Sequence, residues 1–406
     1  MKTILATAYA INPYKGSEDG MGWNFVMQIA RFNKIIAITR ENNQHHIEAY
    51  MKENPNVLYD NIRFLYFDLP YWMRFWKKGG RGAMLYYLMW QRGMVRFIKT
   101  QNLSFDLTHN LNFHNDWTPS FLWKLKKPFV WGSVGHHPKI PKQYLKEYSK
   151  KYWIKDRITW LIKSYFWRVS PSLKKTIKNA NHVLCMNHSV PPVLKLKANY
   201  SVSPSVATQD YGYETSAQQS ERFTVIAAGR FVPLKGFDLS ISAFADFFYT
   251  LNPQEKLRCE LILVGKGPEE ENLKQLAASL GVQHHVKFIH WMERKELMRL
   301  FKSASAFMFP SHEGAGMVVA EALSFGLPVV CLDNEGPGQF ITDQCGFKIP
   351  MRDYDATVEG LKKALQELFS SEETRQKMSK AARTQFETVF HWDRRGEQLS
   401  KIYDTL

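Results

Sequence analysis

Short apolar runs alternate along the chain with longer stretches whose apolar side chains recur every three or four positions. The first pattern is that of buried strands and the second that of amphipathic helices. In the first half the runs at 3–10, 34–39, 62–67, 106–108 and 128–131 predict strands. Residues 22–32 and 83–99 predict helices, the former opening after a glycine-rich loop. In the second half strands are expected at 224–228, 260–264, 286–289, 306–309 and 328–332, and helices near 237–248, 269–280, 294–303, 317–324 and 356–369. The alternation predicts an α/β protein with parallel sheets covered on both faces by helices. A polar, turn-rich stretch at 200–222 marks the break between two doubly wound, Rossmann-like domains, 1–205 and 206–385, facing each other across a cleft. In such sheets ligands bind beyond the carboxyl ends of the strands.

Two stretches of the second half carry candidate chemistry. The run at 306–309 passes through Pro310 into Ser311-His-Glu-Gly-Ala-Gly-Met-Val-Val-Ala-Glu321. Gly314 and Gly316 let a ligand approach the backbone, and amides at the following helix start suit an anion such as a diphosphate. Glu313 and Glu321 lie about two helical turns apart, so both face one side. A buried carboxylate is costly without a partner, which favours a functional pair over a solvated helix face. The second stretch is Ala228-Gly229-Arg230-Phe-Val-Pro-Leu-Lys235-Gly236. It places a guanidinium fork and an ammonium point charge in one loop, the chemistry that phosphate oxygens require.

These residues resemble the donor-binding domain of glycosyltransferase family 4, retaining enzymes of the GT-B class that use nucleotide sugars. The family pattern is a Gly-Arg…Lys-Gly loop, then Glu, seven residues, Glu, and Gly-x-Pro-Val. Residues 13–23 resemble the G-S-E-x-G-x-G-W opening of a subset of these enzymes, and 128–135 resemble their W-G-P-V-G segment. The ending resembles the family's final helix, which implies that 386–406 packs back on the first domain. The resemblance implies that Arg230 and Lys235 bind the donor diphosphate and stabilise the leaving group in place of a metal. Glu321 is then expected to hold the ribose hydroxyls and Glu313 the donor sugar. Gly229, Gly314, Gly316, Met317 and Val318 complete the donor site, with Glu313, Arg230 and Lys235 as catalytic residues. Gly16 and Ser17 are expected at the diphosphate or acceptor, and His109 and His136 as acceptor contacts. His136 and His137 stand where the subset more often has glycines, so a plain loop histidine is the other reading. The donor is a co-substrate; neither a cofactor nor a metal site is implied.

Several motifs are set aside. Asp353-Tyr-Asp355 resembles a metal-holding D-x-D, but Asp at a helix start is its ordinary cause. Gly265-Lys-Gly267 lacks the third glycine of a dinucleotide fingerprint. Cys185, Cys259, Cys331 and Cys345 show no ligand spacing and are expected as reduced core thiols. The opening apolar run is expected as a buried strand rather than a signal peptide.

Composition changes the picture at one point. The 406 residues carry 54 Lys+Arg against 38 Asp+Glu and 12 Trp. Residues 1–200 hold 31 of the basic and 11 of the acidic residues and ten of the Trp, leaving the second half slightly acidic. The excess concentrates at 71–81 and 139–178, where Trp153, Trp160 and Trp167 recur every seven residues. A basic helix with a Trp face fits an anionic membrane surface, the alternative being that the Trp stripe packs in the core. No nucleic-acid motif accompanies the charge, and none is expected as partner. The expected function is a metal-independent hexosyltransferase, retaining, moving a sugar from a nucleotide sugar to a lipid-linked or polysaccharide acceptor in cell-surface glycan synthesis. Its expected place is cytoplasmic, peripheral on the inner face of the membrane. The competing readings are a GT-B sugar epimerase and a catalytically silent membrane-associated scaffold.

Overall fold

The computed structural model describes residues 1–77, 82–145, 150–213, 222–290 and 292–406. Parts of the basic stretches at 71–81 and 139–178, and most of the polar stretch at 200–222 beyond 213, lie outside the described residues. The chain divides into two compact units. One comprises Met1–His136, Ile158–Ser205 and Trp392–Leu406; the other comprises His137–Arg157 and Val206–His391. Residues 137–157 thus group with the second unit, and the chain re-enters the first at Trp392.

In the first unit β1 (Thr3–Thr7), β2 (Lys34–Thr39), β3 (Ile62–Tyr66), β4 (Leu107–Asn110), β5 (His114–Asn115), β6 (Phe129–Gly135), β7 (His182–Cys185) and β8 (Tyr200–Val202) form one sheet. Its order is β3-β2-β1-β4-β6-β7-β8, with β5 paired to β6 and every pairing parallel. The β-branched runs of β1 and β2 are buried on both faces, as a sheet covered by helices requires. The first strand ends at Thr7, three residues early, because the chain turns toward Tyr9, whose ring packs edge-on against Tyr87 and Trp90. The helix expected from Gly22 begins at Ser17 instead. Gly20 and Gly22 therefore lie inside a helix, and a Cβ on Gly22 would stand 2.1 Å from the Ala10 carbonyl oxygen. Its glycine serves the close approach of helix to strand end.

The last helix, Trp392–Asp404, is part of this unit. Trp392 meets Phe25 edge-on at 5.3 Å, Arg31 pairs with Asp393 at 2.6 Å, and the Lys2 ammonium donates to the Tyr403 carbonyl. Arg395 is buried and donates to Ser203 Oγ and the Pro204 carbonyl, and burial lowers its pKa to about 10. Tyr403 Oη lies 2.6 Å from Nδ1 of the fully buried His109. Tyr403→Phe is expected to cost about 1–3 kcal/mol, because it leaves a buried imidazole nitrogen without its donor. Urea unfolding monitored by Trp fluorescence measures this, and an unchanged midpoint would refute it.

In the second unit β9 (Phe223–Ala228), β10 (Cys259–Val264), β11 (Val286–Ile289), β12 (Ala306–Phe309), β13 (Val329–Asp333) and β14 (Gly346–Pro350) form a parallel sheet in the order β11-β10-β9-β12-β13-β14. Its core gathers Phe231, Phe237, Phe244 and Phe247 against the strands. The segment 137–157 docks here through Tyr144, which is buried and shares a 2.7 Å hydrogen bond with Thr357, and through Gln143, which donates to the Arg352 carbonyl. All four cysteines are buried and unpaired.

Of the two readings of the Trp stripe on the helix Lys150–Val169, Trp160 and Trp167 follow the one in which it packs inward. Trp160 and Trp167 are half-buried, their rings within 6.1 Å of His136. Lys163 is buried above the Trp160 ring. Only Trp153 of the three is exposed. The exposed face is apolar and mostly aliphatic: Ile154, Ile158, Leu161, Ile162 and Val169 recur at helical spacing with Tyr165 among them, Leu161 being 71% exposed. Trp90 and Trp131 are fully buried, so much of the tryptophan excess is core material.

Candidate donor site in the second unit

The strand order places a switch point between β9 and β12, where successive crossovers leave in opposite directions and the strand ends open a crevice. Both motif stretches sit there. After β9, Gly229 (φ 153°) turns the chain, and the loop reaches Lys235 and Gly236. After β12, residues 311–313 hook onto that loop: the His312 amide donates to the Leu234 carbonyl at 2.9 Å, and Ser311 Oγ donates to the same oxygen. Gly236 has φ 64°, and a Cβ there would stand 2.1 Å from the Pro310 carbonyl oxygen. Only glycine lets the two loops touch.

The joined loops bring Lys235 and Glu313 together. Nζ donates to Oε2 at 2.6 Å, with the two side chains 14% and 19% exposed, and the ammonium stands 5.0 Å from the Phe309 ring. Arg230 is exposed and has no ion-pair partner among the described residues, so its guanidinium is available to an incoming anion. The helix Met317–Ser324 starts at the expected glycine-rich turn, with Gly316 as its N-cap and Met317 and Val318 half-buried in its first turn. The amide of Gly314, a residue expected to let a ligand approach the backbone, donates to His137 Nδ1 at 3.1 Å. His137, rather than His136, is therefore the histidine that reaches this loop.

Glu321 lies about one turn along the same helix and is almost wholly buried. Burial raises its pKa, and the charge of Arg294 opposes that rise. Arg294 was not legible as a site residue from its loop. One signal was present: a cation at the first position of a helix is opposed by the helix dipole and calls for a reason. His312 is buried edge-on to Tyr144 at 4.9 Å, and its Nε2 has no hydrogen-bond partner among the described residues. Burial lowers its pKa to about 4. Behind the loop, Asn334 donates to the Ser311 carbonyl at 2.6 Å and accepts from the Gly336 amide, tying β13 to the site.

The expected acceptor residues fall in the first unit. Gly16 caps the helix Ser17–Ala30, and Ser17 is exposed at its first turn with φ 56°. His109 is corrected by its surroundings. Its Nε2–H donates to the Gly132 carbonyl and its Nδ1 accepts from Tyr403, so neither nitrogen remains for an acceptor. Burial lowers its pKa to about 3, keeping it neutral. His136 is buried as well, 2.8 Å from Asp116 and packed against Trp160 and Trp167. Asp353 caps the helix Tyr354–Ser370 through the Ala356 amide. Among the described residues no three His, Cys, Asp or Glu side chains gather as a metal set, and no helix is long and apolar enough to cross a membrane.

Two doubly wound parallel-sheet units of this kind define the GT-B fold, and the solved structures similar to this chain agree. Sucrose-phosphate synthase from Thermosynechococcus elongatus superposes over 100% of this chain and 99% of its own, with a TM-score of 0.67 at 17% identity. In sequence, residues 214–385, all within the span of the second unit, match the family model of the glycosyl transferases group 1. The D-inositol 3-phosphate glycosyltransferase of Acidothermus cellulolyticus is 29% identical over 216 residues, 50% of this chain and 47% of that protein. A GDP-mannose-dependent monoacylated alpha-(1-6)-phosphatidylinositol monomannoside mannosyltransferase of Corynebacterium glutamicum is 29% identical over 181 residues, 43% of this chain and 45% of its own. The matches thus span about half the length of these curated relatives.

Proposed function

We propose that the protein is a retaining, metal-independent glycosyltransferase of family 4, in the subset with the G-S-E-x-G-x-G-W opening, that takes a hexosyl group from a nucleotide sugar. The observation that carries this reading is the meeting of Lys235 and Glu313 at the switch point, with buried Glu321 eight residues further on, inside the helix Met317–Ser324. Arg230 and Lys235 bind the diphosphate. Negative charge grows on it as the glycosidic bond breaks, so fixed cations and helix-start amides accelerate the step. Glu321 accepts from the ribose hydroxyls, and Glu313 holds the sugar beside Gly314, Gly316, Met317 and Val318. The competing epimerase reading shares this site and is separated by product stereochemistry. A thermal-shift panel of UDP-, GDP- and ADP-sugars tests the donor. Stabilisation by one of them that vanishes in Glu321→Ala is expected; no response to any would leave the silent-scaffold reading in place.

For the acceptor we propose a lipid-linked or polysaccharide chain, met at the inner face of the cytoplasmic membrane. The support is the unpartnered aliphatic stripe from Ile158 to Val169 on a strongly basic segment, where Arg168, Lys174 and Lys175 are exposed. Apolar insertion and attraction to anionic headgroups act together on such a surface. Leu161→Asp with Tyr165→Asp is expected to lower co-sedimentation with phosphatidylglycerol vesicles at least tenfold while leaving nucleotide-sugar binding unchanged. Equal sedimentation of both proteins would remove the surface from the reading.

A further inference from the structure

Arg294 is the first residue of the helix Arg294–Ser303, yet its side chain belongs to Glu321. Nη2 donates to Oε1 of Glu321 at 2.5 Å, and Nε and Nη2 donate to Tyr211 Oη at 2.9 and 2.6 Å. The Tyr211 ring lies nearly parallel to Phe325, at 12° and 5.8 Å between centroids, so packing fixes the hydroxyl that holds the guanidinium. The ion pair is asymmetric: the Glu321 side chain is 4% exposed and that of Arg294 45%. The carboxylate has lost its water, whereas the guanidinium keeps part of its own. Oε2 of Glu321 has no hydrogen bond among the described residues.

We propose that Arg294 is a positioning residue of the donor site, which keeps the buried Glu321 ionised and orients its carboxylate so that the second oxygen accepts from the ribose of a nucleoside diphosphate. This rests on the reading of Glu321 as the ribose contact. The physical argument is electrostatic. A carboxylate moved out of water shifts toward its neutral form, and a neutral acid both accepts less strongly and presents its own proton to the hydroxyls. The other charged groups around the helix Met317–Ser324 are committed elsewhere. Arg383 donates to the Ser324 carbonyl and pairs with Asp210 and Glu387. Lys235 pairs with Glu313 ahead of the helix start. Arg294 is therefore the cation that faces Glu321, and Tyr211 is the further titratable group beside it.

The dependence has a definite sign. Removing Arg294 raises the pH at which Glu321 becomes protonated, so nucleotide affinity is lost as pH falls, and lost earlier than in the unaltered protein. Binding of UDP and of GDP is measured calorimetrically between pH 5 and pH 8 for the full chain and for R294A, R294K, Y211F and E321Q. R294A is expected to bind about tenfold more weakly near pH 6 and to recover as pH rises, since each unit of displacement is a factor of ten. R294K, which restores the charge without the fork, lies between. Y211F keeps the charge, loosens the guanidinium and shifts the profile in the same direction by less, and it serves if R294A does not fold. A uniform loss in R294A at every pH, or an unchanged R294A profile, overturns the proposal, because Arg294 then acts directly on the ligand or not at all. If E321Q binds either nucleotide as tightly as the unaltered protein, the ribose reading itself fails, whatever Arg294 does.

Discussion

Lys235→Ala is expected to lower turnover about 10²- to 10³-fold, the usual consequence of removing one preorganised group that faces developing negative charge. The ion pair adds a second effect. Lys235 is bonded to Glu313 at 2.6 Å, and both side chains are mostly buried. Deleting the lysine therefore converts a neutral pair into an uncompensated carboxylate at the place proposed for a diphosphate. Donor affinity falls together with kcat. Lys235→Ala combined with Glu313→Gln removes that repulsion, so nucleotide binding in the double variant is expected to exceed that of Lys235→Ala alone, while turnover stays low. Glu313→Gln by itself frees the ammonium and is expected to bind nucleotide at least as well as the unaltered protein while transferring sugar slowly. Such opposite signs make a coupling that a cycle of the four proteins reads directly. If the two single effects on nucleotide affinity simply multiply in the double variant, the pair does not act as one unit and the assignment of roles falls.

The periodic elements were legible because their signals are local. The β-branched runs of β2 and β11 and the amphipathic repeats of Phe237–Phe248, Arg294–Ser303 and Met317–Ser324 were expected with the bounds observed. The strands missed, β5, β7, β8 and β14, are short or carry polar residues, and tertiary pairing rather than intrinsic pattern makes them strands. The helix 150–169 shows the limit of periodicity most plainly. A spacing of seven says that Trp153, Trp160 and Trp167 share a face, but not whether that face meets protein or solvent, and the aliphatic residues between them carry an equally good stripe. Within the donor site, Lys235 and Glu313 were visible because each stands in a glycine-marked loop. Arg294 and Tyr211 were not, because neither stands in such a loop, and His137 was legible only together with His136 as a histidine within reach of sugar or acceptor. His109 misled for a related reason: a histidine at a strand end suits a ligand or a core equally well, and Tyr403, 294 residues later, decides between them.

Acidification between about pH 6.5 and pH 4 is expected to weaken both units, through one buried imidazole in each. His109 and His312 have pKa values lowered by burial to about 3 and about 4. A histidine lowered in the folded state is neutral there while the unfolded chain takes up a proton below about pH 6.5. Its contribution to stability is thus complete above that pH and declines as pH falls toward the folded value, by about 1.4 kcal/mol per pH unit for each group. The two differ in what they hold. His109 satisfies both nitrogens inside the first unit, whereas Nε2 of His312 is buried without a partner among the described residues. An apolar group of similar size in place of an unsatisfied polar one is close to neutral in stability. His312→Leu is therefore expected to change little at pH 7.5 and to flatten the acid limb of the second unit alone. The readouts differ in weight, because ten of the twelve Trp, the buried Trp90, Trp131 and Trp23 among them, lie in the first unit, so fluorescence follows mainly that unit while circular dichroism follows both. Parallel acid limbs by dichroism for the two proteins would show that His312 is not an acid-labile group. A fluorescence limb displaced as far as the dichroism limb would show instead that the titration of His312 is not confined to the second unit.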